Sequence, residues 1–273
     1  MKFIIVYDTW KPDAEKLAEK ISDWLSGLEI EHDSYKDMFP TNEEHDPDRI
    51  ALLLGGDGFI VKNILPLAKE NIPFLGVNFG TVGFLAPVEP KDWKAAINKI
   101  LKGKYHIDRK KILDGSIKSS GKTTHFKAVN DAVLFRGENK FIRMKVSVDG
   151  YPVHKELGGD GIIVSSAIGS PAYNLAAKGP IAEVGLIVTP LSIPRINVAS
   201  MVLGEDRIVE IKCLGGSRPY EKEFPLEVDG DNTRRIKTGD VIAIRYGDLR
   251  AKFIIPEGSI FIKSLHNKLG LSK

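Results

Sequence analysis

The residues best suited to chemistry are a carboxylate set among glycines, Gly55-Gly56-Asp57-Gly58, directly after the apolar run Ile50–Leu54. Glycines let a backbone approach a ligand closely. A helix following such a loop offers unpaired N–H groups and a positive dipole end, which favour phosphate. A carboxylate repels phosphate, so Asp57 makes sense as the acceptor of a hydroxyl proton or as a holder of a metal ion. The plain alternative is a strand-to-helix turn with an Asp cap. A second loop, Gly76-Val77-Asn78-Phe79-Gly80-Thr81-Val82-Gly83-Phe84-Leu85, also follows a strand-like run. Both loops would therefore sit at the carboxyl edge of one sheet, where open α/β folds bind ligands.

Two further segments carry polar groups fit for a nucleoside. Asn130-Asp131 stands among strand-like residues. Its carboxamide can donate to and accept from a base or ribose edge, and its carboxylate can accept from ribose hydroxyls. Read alone, the pair is a turn. The segment from Gly159-Asp160-Gly161 to Gly169-Ser170-Pro171-Ala172-Tyr173-Asn174 and Gly179-Pro180 is a strand entering a Gly-Ser turn and a helix. Ser170 can cap that helix, with Pro171 at its first position. Tyr173 offers a ring face for stacking and Asn174 a polar edge. The bland alternative is a core tyrosine and a surface asparagine.

The elements that position these residues fall into two kinds. Residues 1–104 alternate strands (Phe3–Tyr7, Ile50–Leu54, Phe74–Val77) with helical spacings. Leu17, Ile21, Trp24 and Leu25 mark a helix opened by Pro12 and closed by Gly27. Ile60, Ile64 and Leu67 mark another, which Pro66 should kink or shorten. Trp93, Ile97, Ile100 and Leu101 mark a third, stopped by Gly103. That rhythm predicts an α/β domain with a parallel sheet. Residues 105–255 instead carry short strand runs: Val129–Phe135, Ile142–Val148, Ile162–Val164, Ile208–Cys213, Val241–Tyr246 and Phe253–Ile255. Asp149-Gly150 and Asp229-Gly230 are turn signals between them. This predicts a β-rich, sandwich-like second domain. The tail 256–273, with Phe261, Leu265 and Leu269 at helical spacing, is expected to return to the first domain.

With 273 residues, 42% hydrophobic and 27% charged, the chain is neither disordered nor membrane-embedded in type. A net charge of +3 and a pI of about 8.7 suit a small anion rather than nucleic acid. The clusters Arg109-Lys110-Lys111 and Arg234-Arg235 read as solvated surface. Cys213 is the one cysteine, so no internal disulfide forms, and its alternation with Val209 and Ile211 predicts a buried thiol. The apolar stretch at the N-terminus ends at Asp8, short of a signal peptide. The expected location is the cytoplasm, with no membrane contact.

Taken together, the four segments resemble the NAD kinase family. Its hallmarks are a Gly-Gly-Asp-Gly loop, an Asn-Glu or Asn-Asp pair, and an Asp-Gly…Ser…Gly-Ser-x-Ala-Tyr…Gly-Pro segment, here in that order. Thr189-Pro190 is similar to a later landmark. The resemblance spans roughly residues 1–265. It implies phosphoryl transfer from ATP or polyphosphate, with a divalent metal cation (magnesium), to the 2′-hydroxyl of the adenosine ribose of NAD. It makes Asp57 the catalytic base, with Gly56 and Gly58 at the nucleotide. Asn130 and Asp131 would bind ribose or nicotinamide-side groups, and Asp160 would lie by the adenine or the nicotinamide amide. Ser170, Pro171, Ala172, Tyr173 and Asn174 would line the adenine and ribose pockets. No residue is assigned as a metal ligand. A homodimer or homotetramer is implied. The chain departs from the family pattern at Phe59 (commonly Thr), at Pro171 and at Lys178, where a glycine is usual. Two other readings stay open: a dinucleotide-binding regulator with weakened catalysis, and another kinase of the diacylglycerol kinase/phosphofructokinase-like superfamily.

Overall fold

The computed structural model describes residues 1–40, 48–194, 198–218, 220–231 and 233–257. The chain divides into two compact units, one formed by Met1–Lys110 and the chain from Leu249 on, the other by Lys111–Asp248. The first boundary lies six residues beyond the expected 104, and the return begins at Leu249 rather than 256. The helix expected around Phe261, Leu265 and Leu269 lies outside the described residues.

The first unit opens with β1 (Lys2–Tyr7), α1 (Pro12–Ser26), β2 (His32–Lys36), β3 (Arg49–Gly55), α2 (Asp57–Lys69), β4 (Phe74–Asn78) and α3 (Trp93–Leu101). The order across the sheet is β2-β1-β3-β4, all parallel. β1, β3 and β4 are almost wholly buried, as parallel strands covered on both faces must be. α1 buries Leu17, Ile21 and Leu25 against this sheet, and α3 adds Ile97 and Ile100. Trp24 of α1 and Trp93 of α3 meet edge to face at 5.3 Å. α2 runs on for three residues beyond Pro66 instead of stopping there. β2 is polar and half-exposed at the sheet edge, which is why no apolar run announces it.

The second unit is all but free of helix. Its strands are β5 (Tyr105–Ser119, beginning in the first unit), β6 (Lys122–Ala128), β7 (Asp131–Phe135), β8 (Ile142–Val148), β9 (Tyr151–Gly159) and β10 (Gly161–Ser165). After the single turn α4 (Tyr173–Ala176) come β11 (Leu186–Leu191), β12 (Met201–Leu203), β13 (Val209–Gly216), β14 (Glu223–Val228), β15 (Arg234–Lys237) and β16 (Val241–Pro256). One antiparallel sheet has the order β12-β11-β10-β7-β14-β15. In the other layer β9, β8, β13 and the Val241–Ile244 part of β16 pair in turn. One apolar core draws on both layers, including Leu134, Ile162 and Leu226 from the first and Val146, Ile211 and Ile242 from the second. The expected sandwich is therefore present. β16 is one strand where two were expected. It continues into the first unit, where Phe253 pairs with Phe74 of β4. The β8–β9 hairpin turns on Asp149 and Gly150 at φ 50° and 81°, as its Asp-Gly signal predicts.

Cys213 is a free, fully buried thiol, and burial pushes its pKa up. The basic clusters are largely paired: Lys110 with Asp108 (3.2 Å), Lys111 with Glu205 (2.7 Å) and Arg235 with Glu223 (3.5 Å). No described helix is long and apolar enough to cross a membrane.

Candidate functional site

In the first unit the two glycine loops meet. β3 and β4 run in register to Gly55 opposite Asn78, so both loops leave the same carboxyl edge. Phe79 N–H donates to the Gly55 carbonyl at 3.0 Å. A Cβ on Gly80 would sit 3.0 Å from the Gly56 Cα, so a side chain at Gly80 requires the Gly56 loop to give way. Asp57 does not cap its own helix. Its Oδ2 accepts N–H bonds from Gly83 (2.9 Å) and Phe84 (3.1 Å), and its Oδ1 accepts from Leu85 (2.9 Å). Three of the roughly four acceptor positions of a carboxylate are thus filled, and one is left for a ligand. Asp57 itself opens α2, after Gly56. The first-turn N–H groups of this helix have no acceptor within it. Gly58 stands in the open there: a Cβ added to it would meet nothing within 4 Å. Phe59 lays its ring over Gly55, which a Cβ there would strike.

In the second unit the end of β10 and the start of β7 form a polar cluster, because Ser165 pairs with Asp131 in the antiparallel register. Ser166 N–H donates to the Asn130 carbonyl (2.8 Å) and Ser166 Oγ to the Val129 carbonyl (2.6 Å). Gly169 packs on the Asn130 backbone too closely for any side chain. Asp229, at φ 52°, gathers the N–H groups of Val129 (2.8 Å), Asn130 (2.7 Å) and Asp131 (3.2 Å) on its carboxylate. Asp131 is buried at 4% exposure. Desolvation first, then the nearby Asp229 and Glu227, push its pKa up to about 7. Burial also raises Asp229, against the pull of its three N–H donors. Asn130 Oδ1 is buried with no hydrogen-bond partner among the described residues. An orphaned acceptor in such a cluster is where a ligand N–H or O–H belongs.

The Gly-Ser segment differs from its expected form. α4 begins at Tyr173 after Ala172, with no side-chain cap, so Ser170 and Pro171 precede it instead of starting it. Ser170 is fully buried and its Oγ bonds the Ala167 and Ala182 carbonyls, both at 3.0 Å. Tyr173 is 51% exposed and Asn174 is 0%, the reverse of a core tyrosine beside a surface asparagine. The Asn174 amide is fully engaged inside the protein. Nδ2 donates to the Ser170 (3.0 Å) and Pro180 (2.9 Å) carbonyls, and Oδ1 accepts from Thr189 Oγ1 (2.6 Å). The buried Tyr246 hydroxyl, pushed up to about 12 chiefly by burial, accepts from Ala167 N–H and donates to the Gly185 carbonyl.

Asp160 lies apart from this cluster. It precedes β10 beside Arg136, whereas Asn130 and Ser166 flank the opposite ends of the same strands. Six residues at about 3.4 Å each make the separation roughly 20 Å. Arg136 Nε holds one Asp160 oxygen at 2.8 Å. Sequence reasoning missed Asp229, Thr189, Tyr246 and the Gly83–Leu85 amides as members of these clusters. Only the Asp229-Gly230 turn signal and Thr189-Pro190 marked any of them. Among the described residues no three His, Cys, Asp or Glu converge to hold a metal ion.

An open parallel sheet with glycine loops at its carboxyl edge, followed in the same chain by a β-sandwich, is the class of fold these residues build. Residues 14–105 match the family model of the ATP-NAD kinase N-terminal domain, and residues 129–255 that of the C-terminal domain. The chain belongs to the NAD kinase family. It is 34% identical to an NAD kinase of Lachnoclostridium phytofermentans over 228 residues, covering 81% of this chain and 79% of the relative. To that of Pyrococcus furiosus it is 32% identical, covering 97% and 100%. Among solved structures, an Archaeoglobus fulgidus NAD kinase in complex with ATP superposes with a TM-score of 0.77 at 26% identity, covering 99% of this chain and 98% of that one. Yeast NADH kinase complexed with NADH superposes with a TM-score of 0.86 at 20% identity, over 100% and 88%, a likeness of fold.

Proposed function

We propose that this chain is an NAD kinase that transfers the terminal phosphoryl group of ATP, or of polyphosphate as a second donor, to the 2′-hydroxyl of the adenosine ribose of NAD. The observation that carries this is the Asp57 carboxylate, held across two glycine loops by three N–H bonds with one acceptor position left over. In the transfer the 2′-oxygen bonds to the γ-phosphorus, the bond from phosphorus to the β–γ bridging oxygen breaks, and ADP leaves. The hydroxyl proton goes to Asp57. Little else is covalent, so positioning and charge stabilisation dominate. The first-turn N–H groups of α2 beside Gly58 suit the donor phosphates.

In the second unit Asn130 Oδ1 and the Asp131 carboxyl face the dinucleotide's polar groups in this proposal, and the exposed ring of Tyr173 gives it a stacking face. Asp160 takes a more distant part of the same molecule, with Pro171 and Ala172 as lining. Ser170 and Asn174, whose polar atoms are engaged internally, hold that segment in place. The described side chains offer no cage for a divalent cation. Magnesium, which keeps several waters and binds through substrate phosphates, would enter with ATP and supply charge neutralisation. The cytoplasm is supported by the single cysteine, which leaves no internal disulfide to form. Self-association as a homodimer or homotetramer is supported by the edge strand β9, where Tyr151 is 79% exposed.

The test is NADP formation from NAD, ATP and magnesium. Asp57→Asn is expected to lower it by about 10²–10⁴-fold, the range for a general base, while NAD still binds. Binding of NAD by the parent protein without any NADP would instead favour the regulator reading, which Phe59 and Pro171 motivate.

A further inference from the structure

We infer that Trp10 is the stacking platform for the purine base of the phosphoryl donor. This rests on the kinase reading above and adds a donor-specificity residue to it. Trp10 is 89% exposed, the highest value among the large apolar side chains described. Its backbone, in contrast, is fixed from both sides. Trp10 N–H donates to Asp8 Oδ1 at 3.0 Å, and Lys11 N–H to the Asp8 carbonyl at 3.0 Å. Thr9 N–H and Thr9 Oγ1 both bond Asp37 Oδ1, at 2.9 and 2.7 Å. Pro12 then starts α1. An indole on a pre-ordered turn binds a flat ring without ordering a loop first.

The turn stands where a ligand belongs. In the order β2-β1-β3 the chain leaves β1 toward one side and returns on the other, and open α/β sheets bind ligands at such a reversal. Asp8 N–H donates to the Leu54 carbonyl at 3.0 Å. Trp10 and Gly56 thus each lie two residues past that bond, in the loops that leave the paired strands β1 and β3 at the same edge. Charge decides which end of the donor goes where. The first turn of α1 carries Asp13 and Glu15, which repel phosphate. That of α2 carries only Asp57, whose oxygens are turned to the Gly83–Leu85 amides. Phosphates on α2 place the base over the β1 turn. Every purine has a π-face, so an indole there grips the donor's base while leaving its phosphates free to react.

The experiment compares the full-length parent with Trp10→Ala and Trp10→Phe. The KM for ATP is expected to rise about 10–100-fold in Trp10→Ala, the size of a lost base–aromatic stack. The KM for NAD should stay within about 2-fold, and Trp10→Phe should recover most of the loss. Tripolyphosphate, which has no base, should inhibit parent and Trp10→Ala alike. ATP should quench tryptophan fluorescence in the parent and not in Trp10→Phe, where Trp24 and Trp93 remain as an internal reference. An unchanged KM for ATP, an effect on NAD instead, equal weakening of tripolyphosphate, or a changed oligomeric state would each overturn the inference. A parent that makes no NADP strikes the kinase reading separately, since the ATP quench is read without turnover.

Discussion

Thr189 Oγ1 donates to Asn174 Oδ1 at 2.6 Å, and neither side chain has more than 1% of its surface in water. Asn174 is thereby held by three bonds, while its neighbour Tyr173 projects into solvent. One residue is the anchor and the next is the displayed face. Thr189→Val removes the hydroxyl and leaves a buried acceptor unsatisfied, at a cost of about 1–3 kcal/mol. The expected result is a lower melting temperature and a several-fold higher KM for NAD, with the KM for ATP little changed. Thr189→Ser keeps the hydroxyl and should restore the KM for NAD. Equal losses for both substrates, or no rescue by serine, would argue that the bond serves stability alone.

What the sequence made legible was whatever its local pattern encodes. The buried strands β1, β3 and β4 announce themselves as apolar runs, and Asp149-Gly150 as a hairpin. The placement of two glycine loops at one sheet edge followed from strand-then-loop order. β2 (His32–Lys36) was hidden because it is a polar edge strand, and β5, β6 and β9 because much of each is exposed. Asp229 escaped because the three N–H groups it gathers lie 98–100 residues away in the chain. The inside–outside order of Tyr173 and Asn174 was illegible because a helix of four residues is too short for periodicity to show its buried face. The Asp57 contact to Gly83–Leu85 depends on tertiary approach, which no single-chain pattern records.

The Lys178 departure from the family has a conformational consequence. Lys178 sits at φ 63°, just past α4. Its N–H donates to the Leu175 carbonyl (2.9 Å) and Gly179 N–H to the Asn174 carbonyl (2.8 Å), the paired bonds of a Schellman cap. The residue in the left-handed position of that cap is ordinarily glycine, because a Cβ there costs roughly 1–2 kcal/mol. Glycine would give back about 0.5–1 kcal/mol through greater freedom of the unfolded chain. Lys178→Gly is therefore expected to stabilise by about 0.5–1 kcal/mol, or roughly 1–4 °C in melting temperature. Thermal denaturation checks it, and a fall in melting temperature would mean the lysine side chain contributes something its exposed position does not reveal.

Asp131 should make stability depend on pH in an unusual direction. Its carboxyl is pushed up to about 7, from an ordinary 3.8, by burial and by Asp229 and Glu227. Between about pH 4 and pH 7 the unfolded chain has released this proton while the folded chain still holds it. The unfolded state then binds fewer protons, so stability falls as pH rises through that window and levels off above it. Across that window the effect is at most about 4 kcal/mol. Asp131→Asn keeps the shape without the charge. It should be more stable than the parent at pH 8 by about 1–4 kcal/mol, and about equal to it at pH 4. Denaturant titrations of both proteins from pH 4 to pH 8 measure this. A variant weaker than the parent at pH 8, or an unchanged slope, would mean the charged form of Asp131 is held by more favourable contacts than burial and its acidic neighbours allow. The same titration bears on binding, because a carboxyl half-protonated near neutral pH can donate to a ribose oxygen as well as accept from a ribose hydroxyl.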